Sequence, residues 1–209
     1  MKIFKILFTI ALMCTGLAAG ARTAADFFLE APSAVFPSLD NNTRLDMLDY
    51  FRYGSDRAMK NDLGGESLVL FESDKVLRVQ VSERVQADVA ALANGNDTIL
   101  TVITTVSMPA RDSSLAFYDR SWKPLKQTPL EVPQYTQWLT QKGLDNVDEL
   151  RITLPFIMAS ASIDDEATKL TFTNNAVSYL VSDEYEAVKD MLVDEIVYDI
   201  VKNKFKPRR

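Results

Sequence analysis

The 209 residues contain no histidine, and the single cysteine, Cys14, lies within the first seventeen positions. Serine triads, cysteine–histidine nucleophiles, histidine zinc sites and histidine acid–base catalysis therefore each lack an essential part. Glycine is scarce at seven, and none of the seven forms a phosphate-cradling loop or a dinucleotide fingerprint. No serine or threonine is followed three residues later by lysine, which removes the serine–lysine signature of penicillin-binding enzymes. Long apolar runs are missing too. The uncharged stretch from Ile6 to Leu17 is twelve residues, short of the roughly 20 that a membrane-crossing helix needs. Positive charge is also in deficit: 23 basic side chains stand against 29 acidic ones, for a net charge of −6. That balance argues against general nucleic-acid binding, which requires a positive surface to displace counterions from phosphates.

What is present begins with an export signal. Lys2 and Lys5 supply a basic start, Ile6 to Leu17 an apolar core, and Ala19-Gly20-Ala21 the small-residue pattern that signal peptidases cut after. Residues 1–21 are expected to be removed, leaving a chain that starts at Arg22 with 21 basic and 29 acidic groups, a net of −8. Met13 precedes Cys14 where a lipoprotein signal wants a small residue, so Cys14 is expected to leave with the signal. The mature protein would then hold no disulfide and depend on its core alone, for which 188 residues are sufficient. The expected setting is the periplasm or the cell exterior, with no membrane-spanning segment in the mature chain.

Patterning along residues 22–209 indicates an α+β domain, with a soft division left open near Leu130. Ala24 to Phe36 reads as a short helix and an extended link broken by Pro32 and Pro37. A second helix follows, capped by Asn42 or Thr43 with Asp46 one turn on; Leu45, Leu48 and Phe51 share its inward face and Gly54 ends it. From Ser67 the period becomes two. Leu68–Glu72, Val76–Val81, Val85–Leu92, Thr98–Val106 and Ser114–Tyr118 read as strands joined by turns too short for parallel crossovers, hence an antiparallel meander with helices on one face. Asn94-Gly95 is the strongest hairpin signal. In Thr98–Val106 both alternating faces carry apolar or β-branched residues, so this strand is expected to be covered on both sides.

The second half suggests a similar layer of helix plus strands. Pro133 is expected to start a helix through Tyr135, Trp138 and Leu139 that Gly143 stops. Leu150–Ile163 and Lys169–Thr173 should form a hairpin, Ser182 should cap a helix, and Ile196–Val201 should be a closing strand. The basic residues of Lys202–Arg209 are read as a solvated tail, the alternative being contact with an anionic surface.

Candidate site residues follow from polar clusters outside the turns. Asn42, Arg44 and Asp46 gather cap, cation and acid at a helix start; Arg111 and Asp112 follow Pro109-Ala110; Trp122 with Trp138, Tyr118 and Tyr135 could stack on a sugar. Each has a structural alternative: capping, a rigid turn and core packing. Acid groups at Asp46/Asp49, Asp145/Asp148/Glu149, Asp164–Glu166 and Asp194/Glu195/Asp199 keep a two-carboxylate hydrolase open, but none has the spacing of a calcium loop. No metal and no cofactor are expected.

The segments Ala25-Asp26-Phe27-Phe28, Asn42 to Phe51, Leu63-Gly64-Gly65, Pro109 to Ser113 and Phe117-Tyr118-Asp119 with Trp122 resemble a family of exported proteins of uncharacterised function from Gram-negative gut anaerobes of the Bacteroides type. The resemblance implies a bacterial periplasmic or surface setting and brings no substrate, cofactor or catalytic residue. In that setting Asp97-Thr98-Ile99 resembles a short acceptor pattern for O-glycosylation at Thr98, against the ordinary reading of a strand start. The function expected is a non-enzymatic domain of the cell envelope that binds an envelope protein or a glycan. The alternative is a carboxylate-dependent hydrolase of polysaccharide or cell wall.

Overall fold

The computed structural model describes residues 22–95 and 97–208. The export signal, its cleavage site and Cys14 lie outside the described residues. The first helix, α1 (Ala24–Glu30), starts on a reciprocal cap in which Thr23 accepts from the Asp26 N–H and Asp26 accepts from the Thr23 N–H. The second, α2 (Asn41–Arg52), is capped by Asp40, which takes the Thr43 N–H at 2.7 Å. Capping by Asn42 or Thr43 is thus corrected by two to three residues, since an ionised Asp40 complements the helix dipole better than either.

Six strands then run as a meander in chain order, β1 (Met59–Lys60), β2 (Glu66–Glu72), β3 (Val76–Ser82), β4 (Val85–Asn94), β5 (Asp97–Ser107) and β6 (Arg111–Asp119). All neighbours are antiparallel. The fold is α+β, as the patterning indicates. At the β4–β5 connection Asn94 pairs with Asp97, so the turn sits one residue beyond the Asn94-Gly95 signal and Gly95 takes the positive φ of 64°. β6 begins at Arg111 rather than Ser114, because the ladder continues to Ser107 opposite Arg111.

Both faces of the meander are covered. Leu77, Val79, Val89, Leu100 and Val102 lie under Phe27, Phe28, Met47 and Leu48 of the two helices. On the opposite face Val76, Ala90, Leu92 and Ile103 pack against a second sheet through Ala161, Ile163, Leu170 and Phe172. That sheet has the order β10-β9-β8-β7, from β7 (Ala159–Ile163), β8 (Lys169–Asn174), β9 (Glu195–Val201) and β10 (Lys204–Pro207). Period-two alternation on β5 with apolar residues on both sides is what places it between two layers. The core cluster formed with the second sheet draws residues from both sides of Leu130.

The outer edge of β7 is closed by side chains instead of a neighbouring strand. The Asp112 carboxylate accepts from the Ala159 N–H at 3.1 Å, the Ser113 hydroxyl from the Ala161 N–H at 2.8 Å, and Arg78 donates to the Ile163 carbonyl at 3.1 Å. An edge that would otherwise recruit another strand is thereby tied to the first sheet.

The second half departs from expectation in three places. Residues 135–138 form only one short 3-10 turn, and Gly143 lies inside α3 (Gln141–Asp145) rather than ending a helix. Glycine is required there because a Cβ would stand 2.3 Å from the Met191 carbonyl oxygen. Gly143→Ala is expected to cost about 1 to 3 kcal/mol by overpacking, read as a lowered midpoint in urea; an unchanged midpoint would refute the close approach. Leu150–Ile163 is not one strand. Val147–Thr153 is α4, whose Leu150 joins Leu154 in a small cluster with Leu139, Val188 and Leu192, and the strand begins only at Ala159. Asp148 and Glu149 in the first turn favour the helix, against the β-branched Ile152 and Thr153. Lastly, the segment read as a tail is a hairpin over its described residues up to Arg208: Val201 pairs with Lys204 across a two-residue turn in which Lys202 and Asn203 have φ of 49° and 56°. Lys204 and Lys206 then decorate an edge strand, and Arg208 is ion-paired with Asp199. A fifth helix, α5 (Ser182–Val188), is found where expected, but Ser182 is its first helical residue and not its cap: Val181 holds the N-cap position and no side chain caps it.

Candidate functional site

A concavity lies on the helix-bearing face of the meander, between the link after α1 and the loop that follows β1. Val85 and Ala87 of β4 and Thr104 of β5 form its floor with Val81 of β3, and the register places Ala87 opposite Thr104. One wall is the link after α1, Val35 to Ser38, held there because the Ser38 carbonyl accepts the Asp62 N–H at 3.0 Å. The other wall is the loop Asn61–Gly65. The enclosed volume is about 400 Å³, and no ionisable side chain lines it.

Asn61 builds that second wall. Its amide nitrogen donates to the Ser67 hydroxyl at 3.1 Å and to the Val81 carbonyl at 2.9 Å, while its oxygen accepts from the Leu63 and Gly65 N–H groups, both at 3.0 Å. The side chain is buried and saturated, so it fixes the loop and offers little to a ligand. Gly64, at φ 79°, turns the loop and leaves Leu63 at the lip, 84% exposed. An apolar side chain held out by a stapled loop beside an apolar cavity is an arrangement suited to closing over a guest.

The residues singled out in the sequence do not meet at this pocket. Asn42 and Asp46 are exposed on α2. Arg44 is buried, donating to the Phe28 carbonyl at 2.7 Å, the Ala31 carbonyl at 2.8 Å and the Asn41 side chain at 2.7 Å. Burial lowers its pKa, opposed by the Asp40 charge; its role is to fasten the end of α1 to the start of α2, not to contact an external anion. Trp122 is buried as well, with its indole N–H donated to the Phe27 carbonyl at 3.1 Å, and Trp138 is fully enclosed. The aromatic sugar platform therefore falls away: both tryptophans belong to the core. Arg111 and Asp112 are exposed residues of β6, beside the sheet junction that Asp112 helps to tie, and Thr98 is a half-buried residue near the start of β5.

The acids are dispersed. Among the described residues no three Asp or Glu side chains gather in a way that would hold a metal ion. Asp164 is occupied with the Thr168 hydroxyl and the N–H groups of Thr168 and Lys169; burial pushes its pKa up, but those bonds together hold its carboxyl below the ordinary value. Among the described residues the one buried carboxylate is Asp88, between the two sheets, paired with Arg78 at 3.1 Å and accepting from Gln86 at 2.9 Å. Burial raises its pKa, against the pull of Gln86 and Arg78. A glycosidase-type mechanism needs a second carboxyl facing it across a groove; Asp88 faces an arginine under a covering sheet.

The family model for proteins of unknown function DUF3256 matches residues 17–205. The chain belongs to that family. A solved domain of an uncharacterized protein from Porphyromonas gingivalis W83 shares the fold, with a TM-score of 0.73 at 20% identity over 88% of this chain and 96% of that one. No curated protein matches the sequence. The resemblance drawn from the sequence thus holds as membership of a family of unknown function, with a structural relative in a Bacteroidetes species. Neither comparison carries a ligand over to this chain.

Sequence reasoning missed the pocket residues. Only Leu63-Gly64-Gly65 stood out, as part of a family likeness. The remaining walls are ordinary apolar positions of strands and a link, and Asn61 carries no motif. An exposed leucine between an asparagine and two glycines was the one signal that a stapled loop lay here.

Proposed function

We propose that this chain is an exported, non-enzymatic binding domain of the bacterial cell envelope, and that its pocket at Val81, Val85, Ala87 and Thr104 takes an apolar part of the partner. The observation that carries the reading is the pocket itself: an uncharged cavity of about 400 Å³, in the size range of small-ligand sites, with apolar floor and walls. Its lining holds no acid, base or nucleophile paired with a base, so it has the chemistry of capture and not of bond cleavage. Export is supported by the signal pattern of residues 1–21. Thr23 caps α1 two residues beyond the expected cut, so removal of residues 1–21 would leave that cap intact. None of the helices described is long and apolar enough to cross a membrane. With both tryptophans in the core, a protein or lipid component of the envelope fits the pocket better than a glycan.

The test is fractionation of a Bacteroides-type host expressing the full chain with a photo-crosslinking side chain at Leu63. The expected result is a periplasmic or surface protein beginning at Arg22, with envelope adducts that disappear when Thr104→Phe fills the pocket, and no turnover of purified cell-wall polysaccharide. Recovery in the cytoplasm with residues 1–21 intact, or release of soluble sugars, would reject the reading.

A further inference from the structure

We infer that the pocket accepts the hydrocarbon chain of a single-chain amphiphile, such as a fatty acid, and leaves the head group in water; this deepens the proposed function and rests on it. Hydrogen-bonding capacity decides which apolar guest the pocket can hold. An inserted peptide segment brings N–H and C=O groups that must be hydrogen-bonded once they leave water. The floor cannot serve them. β4 and β5 are paired on both sides along the floor, so their main-chain groups there are engaged in the sheet; on β3 a register shift between Gln80 and Ser82 takes Val81 out of the ladder. The polar groups left over are committed elsewhere: the Val81 carbonyl already accepts from Asn61 and Ser67, the Asn61 amide is saturated, and the Ser38 carbonyl holds Asp62. Three hydroxyls, on Ser38, Ser82 and Thr104, are the remaining polar side chains. They are too few for a peptide backbone, and a hydrocarbon chain asks nothing of them.

Charge points the same way. The lining has no ionisable group, so a charged end would gain no partner inside, while the exposed Glu83 and Arg84 of the β3–β4 turn and Asp62 lie outside it in water. The apolar strip also continues past the cavity. Val106, opposite Val85 in the ladder and on the Thr104 face of β5, is 43% exposed, and Leu63 at the lip is 84% exposed. A chain extending out of the pocket would cover both, which a compact side chain would not reach.

The experiment is fluorescence titration of the purified full chain with N-phenyl-1-naphthylamine, followed by displacement with straight-chain fatty acids and alkyl maltosides of increasing length below their micelle thresholds. Each added methylene is expected to tighten displacement about fourfold until the pocket is full, from the transfer free energy of a buried CH₂. Acids and maltosides of equal chain length should agree within about threefold, because the head stays in solvent where its charge is screened. Thr104→Phe is expected to lose probe and amphiphile binding at least tenfold. Leu63→Asp, at an exposed lip where folding is not at stake, is expected to weaken both. Should the probe bind and respond to Thr104→Phe while no alkyl chain displaces it, the hydrocarbon assignment fails and the apolar pocket of the proposed function survives. Displacement that follows head-group charge and ignores chain length would likewise overturn the assignment alone. If neither variant alters probe binding, or the probe does not bind, both readings fall.

Discussion

Arg78→Ala is expected to lower the unfolding free energy by about 3 to 5 kcal/mol at neutral pH, because it strands a buried carboxylate. Asp88 has a side chain only 4% exposed, and Arg78 is its cationic partner at 3.1 Å. The same guanidinium donates to the Ile163 carbonyl on the edge of β7, so the substitution also releases one of the ties between the sheets. The pH dependence separates this account from simple loss of packing. Burial already raises the Asp88 pKa, and removing Arg78 takes away one of the influences that pull it down. A folded-state pKa above the unfolded value of about 3.9 means that folding holds a proton more tightly. The stability linked to that proton is present in full below the unfolded value and is lost as pH rises through the folded one. The deficit of Arg78→Ala relative to the parent chain should therefore be small near pH 4 and grow towards pH 7. Urea unfolding at both pH values measures it. An equal deficit at the two would show that packing, and not the stranded charge, dominates. The double variant Arg78→Ala/Asp88→Ala should recover much of the loss, since it removes the uncompensated charge.

The contrast between the two halves shows what patterning conveys. In the meander each strand pairs with its sequence neighbour, so period-two alternation and short turns determine the order and nearly the bounds: Val76–Val81 reads from the residues and Val76–Ser82 is found. Between residues 135 and 154 the elements are short, and Leu139, Leu150 and Leu154 join a small helical cluster, where Ile152 and Thr153 speak for a strand and tertiary packing of Leu150 and Leu154 decides for a helix. The β9–β10 hairpin was hidden for another reason. Its turn residues, Lys202 and Asn203, take positive φ without a glycine, so only Asn203 hints at a turn and the lysines read as a tail.

The candidate site was less legible than the fold, and again the reason is physical. Polar residues attract attention in a sequence because they can do chemistry, yet Arg44 and Trp122 use their polar atoms to satisfy main-chain carbonyls at the junctions of α1. The pocket, by contrast, is defined by the absence of cover over part of a sheet face. Val81 and Val85 are indistinguishable in sequence from strand neighbours such as Val79 and Val89 that lie in the core under the helices.

That division within one face makes α2 the most informative place to test packing. Leu48→Ala is expected to cost about 2 to 5 kcal/mol, the lost burial of the side chain plus an unfilled cavity, because Leu48 is fully enclosed between α1 and the meander. Leu45, which shares its helical face in a simple period, is 46% exposed, and Leu45→Ala should stay within about 1 kcal/mol. The helix turns its inner surface towards Met47, Leu48 and the aliphatic part of Arg44, so the inward stripe is rotated from the one that Leu45, Leu48 and Phe51 define. Arg44 is responsible for the rotation: its guanidinium must reach the carbonyls of Phe28 and Ala31, and this brings its side of the helix inward at the expense of Leu45. Asp49, exposed on the flank, should tolerate alanine within about 0.5 kcal/mol. Denaturant unfolding of the three variants orders them directly. A loss for Leu45→Ala as large as that for Leu48→Ala would return Leu45 to the core and refute the rotated stripe. A neutral Leu48→Ala would remove α2 from the packing that roofs the meander.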